Sequence, residues 1–201
     1  MSKIKLFSGM DFSGKTTIIN GINEKMPSKF SIKKKFLTPI DLIENVRKRD
    51  TWLSPEEWKP LLQENIQKDI KEYKENGLIL LDSLWIIKYL AGKIEKNDKQ
   101  DEEEIIILKE LLKKYPEMDS FYITVSMNER IKRFQARAKS GNEITGSDKL
   151  IMDIDKFERR EQIYKKIVLE YFPNTKTIDT TDIDLEQTIN VIINDNNFLK
   201  D

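Results

Sequence analysis

The chain has 201 residues, a length that suits one domain with a layered core, and its 35 Lys+Arg balance its 35 Asp+Glu, which gives no support to a nucleic-acid or membrane partner. Cys and His are both absent, which removes thiol nucleophiles, disulfides, histidine bases and the usual zinc ligands. The first residues read as a strand rather than a leader, and no stretch approaches the ~18 apolar residues of a membrane span, so a cytoplasmic protein is expected.

Residues 4–8 alternate like a strand and lead into Gly9-Met10-Asp11-Phe12-Ser13-Gly14-Lys15-Thr16. That octapeptide matches G-x-x-x-x-G-K-[ST], the phosphate-binding loop (P-loop). Gly9 and Gly14 let the backbone turn its N–H groups toward phosphate oxygens, at the start of a helix that favours negative charge. Lys15 is expected to reach the β- and γ-phosphates of ATP, and Thr16 to offer its hydroxyl to Mg²⁺.

A helix is expected over residues 14–26, stopping before Pro27, and a short strand over 33–37. Residues 41–49 read as a short helix. Ser54-Pro55-Glu56-Glu57 has an N-cap, a proline at the first helical position and acids in the first turn, opening a helix to about residue 75. Leu78-Ile79-Leu80-Leu81 is wholly apolar, as a central parallel strand buried on both faces should be, and it ends in Asp82. Helices follow over 83–96 and 104–114, the acidic run 101–104 reading as a solvated helix start. Next come a strand over 120–125, a helix over 128–139, a loop around Gly141 and Gly146, and a helix over 155–171. The last strand is expected over 177–179 and the last helix over 184–194. Strands alternating with helices predict an α/β fold of P-loop NTPase type: a doubly wound sheet of about five parallel strands, helices on both faces and a small lid. The ligand then belongs at the C-terminal strand ends, with Gly9, Thr38, Asp82 and Asp179. Residues 1–201 read as a single domain, with the lid at roughly 133–155.

Asp82, placed directly after an apolar strand, suits the acid that holds a Mg²⁺ shell, although Asp82 or Ser83 could equally cap the following helix. Arginine is scarce. Arg130, Arg133 and Arg137 share one helix, and Arg133 and Arg137, four apart, lie on one face aimed at the loop around Gly141. A guanidinium closing over the phosphates would stabilise charge on the transferred group, whereas a solvated basic helix face is the plain alternative. Trp52, Trp58 and Trp85 could stack on a base or fill core.

Together these features resemble the thymidylate kinase family of nucleoside monophosphate kinases. The P-loop with its internal acid Asp11, the segment Thr38-Pro39-Ile40 with Arg47, the helix opening at Ser54, the stretch from Met118 through Arg133, and Thr177-Ile178-Asp179-Thr180-Thr181 follow that family's order along nearly the whole chain. The resemblance implies that Asp11 faces the acceptor's sugar, that Gly9, Ser13, Gly14, Lys15, Thr16 and Thr17 hold the donor phosphates, that Thr180 and Thr181 border adenine, and that the protein is a homodimer. Two features depart from the family. Asp82-Ser83-Leu84 stands where the family has Asp-Arg-Tyr, and no arginine occurs between Arg49 and Arg130, so two arginines that the family uses around the acceptor phosphate are missing. Phe12 replaces a P-loop arginine of some members, so a catalytic arginine must come from the lid, as Arg133 or Arg137.

The expected activity is ATP-dependent phosphoryl transfer to a nucleoside monophosphate of dTMP type, with Lys15, Asp82, Arg133 and Arg137 as catalytic residues and Thr16 and Asp82 at the metal. A kinase for deoxynucleosides or another small alcohol, with Asp82 or Asp11 as base, and a nucleotide-binding switch without kinase activity are the alternatives.

Overall fold

The structure, a computed structural model, describes residues 4–34, 78–141 and 148–195, together with positions 60, 64, 67, 68, 71, 144 and 198. The expected segments at 41–49 and around Thr38, Arg47, Arg49, Trp52, Ser54 and Trp58 lie outside these residues. Pro60, Glu64, Gln67, Lys68 and Lys71 are helical, in keeping with the helix read to begin near Ser54.

Among the described residues, five parallel strands carry the fold: β1 (Ile4–Ser8), β2 (Phe30–Lys34), β3 (Leu78–Asp82), β4 (Asp119–Thr124) and β5 (Lys176–Asp179), in the spatial order β2-β3-β1-β4-β5. Among the fully described segments, six α-helices lie between and after them: α1 (Lys15–Lys25), α2 (Trp85–Lys96), α3 (Glu102–Leu112), α4 (Met127–Lys139), α5 (Ile154–Tyr171) and α6 (Leu185–Ile193). Successive strand residues point to opposite faces, so each apolar strand feeds two cores. Leu6, Ile79, Leu81 and Tyr122 pack with Ile86, Leu90, Leu108, Phe157 and Val168 of α2, α3 and α5. Phe7, Leu80, Phe121 and Ile123 pack with Ile18, Ile19, Ile22, Ile189 and Ile192 of α1 and α6. The sheet is therefore covered on both faces. The chain winds from β1 outward to β2 and returns to β3, then continues on the other side of β1 to β4 and β5. Sheets that reverse in this way bind ligands outside the C-terminal ends of the strands beside the reversal.

Most element boundaries agree with expectation to within two residues. The second strand does not: it is Phe30–Lys34, three residues earlier than 33–37. Phe30 stands opposite Leu78 and packs on Phe198, while Ile32 stands opposite Leu80, so these two apolar residues set the register. The second helix, α2, starts at Trp85, and its N-cap Leu84 makes no side-chain cap, so neither Asp82 nor Ser83 has the capping role. The acidic run at 101–104 is only half solvated. Asp101 pairs with Lys93 at 2.7 Å, and the buried Glu104 pairs with Lys93 at 2.6 Å and accepts the Tyr89 hydroxyl at 2.6 Å, tying α3 to α2.

Candidate active site

The loop after β1 is shaped by local strain and close approach. Gly9 has φ 141°, and a Cβ there would lie 2.3 Å from the Ile123 carbonyl oxygen of β4, so only glycine lets β1 and β4 come this close. Gly14 turns the chain into α1 with φ 93°. Phe12, between them, has φ 63°, a left-handed conformation that is uncommon for a bulky residue. The loop wraps its own lysine: the buried Lys15 ammonium donates to the Met10 carbonyl at 3.0 Å and to Ser13 Oγ at 3.2 Å. Ser13 is itself fully buried, and Thr17 is exposed on the first turn of α1.

Parallel pairing of β1 and β3 sets Asp82 beside Phe7, one residue short of the loop. There Thr16 Oγ1 donates to Asp82 Oδ2 at 2.5 Å, while Ser83 Oγ lies 3.4 Å from Asp82 Oδ1 and donates to the Phe7 carbonyl at 3.2 Å. A hydroxyl and a carboxylate converge at the end of β3, with the lysine of the loop next to them. This donor set fits Mg²⁺, which takes one or two protein oxygens and completes its shell with water and substrate phosphate. Among the described residues no group of three or more Asp, Glu, His or Cys could form an all-protein cage.

The arginines of α4 fall into three distinct roles. Arg133 Nη1 donates to the Phe12 carbonyl at 3.2 Å and lies as close to where a Gly14 Cβ would be; its Nε donates to Glu129 at 3.2 Å. Arg133 thus leans over the P-loop, whereas its spacing in the sequence pointed to the loop around Gly141. Arg137 sits farther out: it is 3.6 Å from Asp148 and its guanidinium lies 5.9 Å from the Phe12 ring centroid. The third, Arg130, was not singled out by its spacing. It is fully buried and donates to the Val125 carbonyl at 3.1 Å, the Asp11 carbonyl at 2.8 Å and the Glu161 carboxylate. Burial lowers its pKa, against the pull of the carboxylates of Glu161 and Asp11. Its position in the first turn of α4 was the available signal, since that turn is nearest the strand ends.

The Asp11 carboxylate is gripped by Lys88 of α2, at 2.7 and 2.9 Å to its two oxygens. Trp85, one turn earlier on α2, is partly buried and packs against Tyr89, the two rings tilted by 48° with centroids 5.8 Å apart. Beyond β5, the Thr180 hydroxyl donates to the Thr124 carbonyl at 3.1 Å, and the Thr181 hydroxyl donates to Asp179 at 2.5 Å and accepts the Ser126 N–H at 2.8 Å. Both threonine hydroxyls thus tie the β5 loop to the end of β4. Beneath the P-loop, Tyr164 of α5 is wholly enclosed with its hydroxyl near Ser8, Gly9 and Ser83 but outside hydrogen-bonding geometry, and burial pushes its pKa up to about 12.

A glycine-strained loop, its enclosed lysine, the Thr16–Asp82 pair and a five-stranded parallel sheet reversed about β1 give an α/β fold of P-loop NTPase type. No protein-family model and no curated protein matches the sequence. Solved structures do match in three dimensions. A thymidylate kinase from Candida albicans is similar over 94% of this chain and 88% of that one, with TM-score 0.64 and 19% identity. A deoxyadenosine kinase from M. mycoides with bound dATP is similar over 95% and 97%, with TM-score 0.62 and 20% identity. A thymidylate kinase from Ehrlichia chaffeensis gives 96% and 96%, TM-score 0.56 and 16% identity. At these identities the likeness is one of fold.

Proposed function

We propose that this chain is a nucleotide kinase that transfers the γ-phosphoryl group of ATP to a nucleoside monophosphate of dTMP type. The observation that carries this reading is the convergence of Lys15, the Thr16–Asp82 pair and Arg133 on one loop. In the proposed reaction an oxygen of the acceptor phosphate attacks the γ-phosphorus. The new O–P bond forms as the bond to the β,γ-bridging oxygen breaks, and ADP departs with that electron pair. An ionised phosphate needs no general base, so catalysis rests on positioning and on stabilising charge. Lys15 exchanges the Met10 carbonyl and Ser13 hydroxyl for donor phosphate oxygens. Thr16 and Asp82 would hold Mg²⁺, which would supply charge neutralisation for the donor phosphates. Arg133 stabilises charge on the moving phosphoryl group, with Arg137 farther out on the same helix. Residues 133–155 act as the lid of a single domain, and closing it excludes water and limits ATP hydrolysis. A homodimer belongs to the same reading.

A deoxynucleoside kinase is the second reading, favoured by Ser83 in place of a cation beside Asp82 and by the fold shared with a deoxyadenosine kinase. A coupled ADP-release assay over paired monophosphates and nucleosides separates the two, and turnover with nucleosides alone would overturn the first. Under either reading, Lys15→Ala should lower kcat/KM for ATP by at least about a hundredfold, on the order of 3 kcal/mol of lost transition-state stabilisation. ATP-dependent turnover unchanged in that variant would remove the loop from the mechanism.

A further inference from the structure

The acceptor side of the site has lost the arginines that the sequence pattern called for, yet it contains a cation that no motif indicates. Arg133 and the Thr180–Thr181 loop both follow strands on the β4 side of the P-loop. In-line transfer places the acceptor across the loop from the donor, which here is the β3 side, where α2 begins. Asp82, Ser83, Trp85 and Lys88 lie there in sequence. Among the described residues, Lys88 is the cation of α2 that reaches the P-loop.

Its geometry is specific. The Asp11 carboxylate takes two of the three ammonium N–H groups, at 2.7 and 2.9 Å, and the pair is largely screened, with the Lys88 side chain 28% exposed and that of Asp11 16%. Asp11 in turn is fixed through its own carbonyl by the buried Arg130. Lys88 is therefore an oriented donor at the P-loop, with one ammonium N–H beyond the two that Asp11 takes. An uncharged hydroxyl acceptor needs no such group. A monophosphate does, because its negative charge must approach the equally negative donor.

We propose that Lys88, held by Asp11, is a specificity-determining residue that recognises the phosphate of a nucleoside monophosphate acceptor. The proposal rests on the kinase reading above and deepens it by assigning the acceptor's charge to one side chain.

The test uses the full-length protein with Lys88→Met and Lys88→Arg, assayed with ATP against dTMP and thymidine, and against dAMP and deoxyadenosine. For Lys88→Met the KM for the monophosphate should rise at least thirtyfold, while KM for ATP stays within twofold and turnover of the paired nucleoside, if any, within threefold. Lys88→Arg should recover most of the loss. A merely structural ion pair predicts something different: a lower melting temperature and an equal loss for every acceptor, or a rise in KM for ATP. Either pattern would overturn the proposal, as would unchanged kinetics. Equilibrium binding of dTMP, dAMP and their nucleosides by calorimetry separates failure of the kinase reading from failure of this one. Absence of turnover in the wild type with monophosphate binding weakened thirtyfold in Lys88→Met supports the lysine's role alone. Monophosphate binding that is absent from the wild type, or equal in the two proteins, refutes it.

Discussion

Replacing Arg130 by methionine is the most demanding test of how the loop is held. The substitution keeps an apolar side chain of similar length but removes every donor of a guanidinium whose side chain is 0% exposed. It removes the counter-charge of the Glu161 carboxylate, itself only 20% exposed and left with the Tyr122 hydroxyl at 3.3 Å, and leaves the Val125 and Asp11 carbonyls without this partner. Breaking a buried pair by removing one member costs roughly 3–5 kcal/mol. For a chain of this size each kcal/mol moves the melting temperature by about 2–4 °C, so the variant should melt roughly 6–20 °C lower. The double variant Arg130→Met with Glu161→Met removes the stranded charge and should recover about half of that loss, the unsatisfied carbonyls accounting for the remainder. Thermal melts followed by circular dichroism measure both. A drop below about 3 °C for the single variant, or a double variant less stable than the single by the full cost of Glu161→Met, would show that the buried pair does not anchor the loop.

Three further outcomes are expected. Tyr164 is neutral in both folded and unfolded chains below its ordinary pKa near 10; between there and about 12 only the unfolded chain ionises. Stability is thus lost as pH rises through that window, by ~3 kcal/mol in all, and Tyr164→Phe should lack this component of alkaline unfolding; identical pH profiles would contradict it. Gly9→Ala forces a Cβ within 2.3 Å of a backbone oxygen at a φ of 141° and should destabilise by at least about 3 kcal/mol, whereas Gly92→Ala in α2, with its nearest contact at 3.8 Å, should be neutral or stabilising by up to ~1 kcal/mol in urea titrations. Asp82→Asn should raise the Mg²⁺ concentration for half-maximal rate at least about tenfold, and an unchanged metal requirement would remove Asp82 from the metal shell.

The placement of Lys15, Thr16 and Asp82 at the ends of β1 and β3 was readable because its cues are local. The P-loop signature, the apolar strand ending in Asp82 and the helix that carries Arg133 all lie in short windows with clear spacing, and β1–β3 pairing brings Thr16 to Asp82 as the motif requires. Arg130 and Lys88 were not readable in the same way. Their roles depend on partners far away in sequence: Asp11 is 119 residues from Arg130 and 77 from Lys88. The same limit explains the second strand, whose register is set by Leu78, Leu80 and Phe198 rather than by its own alternation. It also explains the acids at 101 and 104, which looked solvated until Lys93 of the preceding helix was placed against them.

Phe12 shows what the loop can and cannot carry with it. Its left-handed backbone stores on the order of 1–3 kcal/mol of strain, which the octapeptide cannot offset alone. The ring stands edge-on to Phe134 at 5.5 Å, and the carbonyls of Asp11 and Phe12 are bonded by Arg130 and Arg133, so the restraint comes from α4, more than a hundred residues downstream. The P-loop of this protein is therefore not a portable cassette. Grafted onto another scaffold as eight residues it should relax into a different turn; grafted together with α4 it should keep its shape.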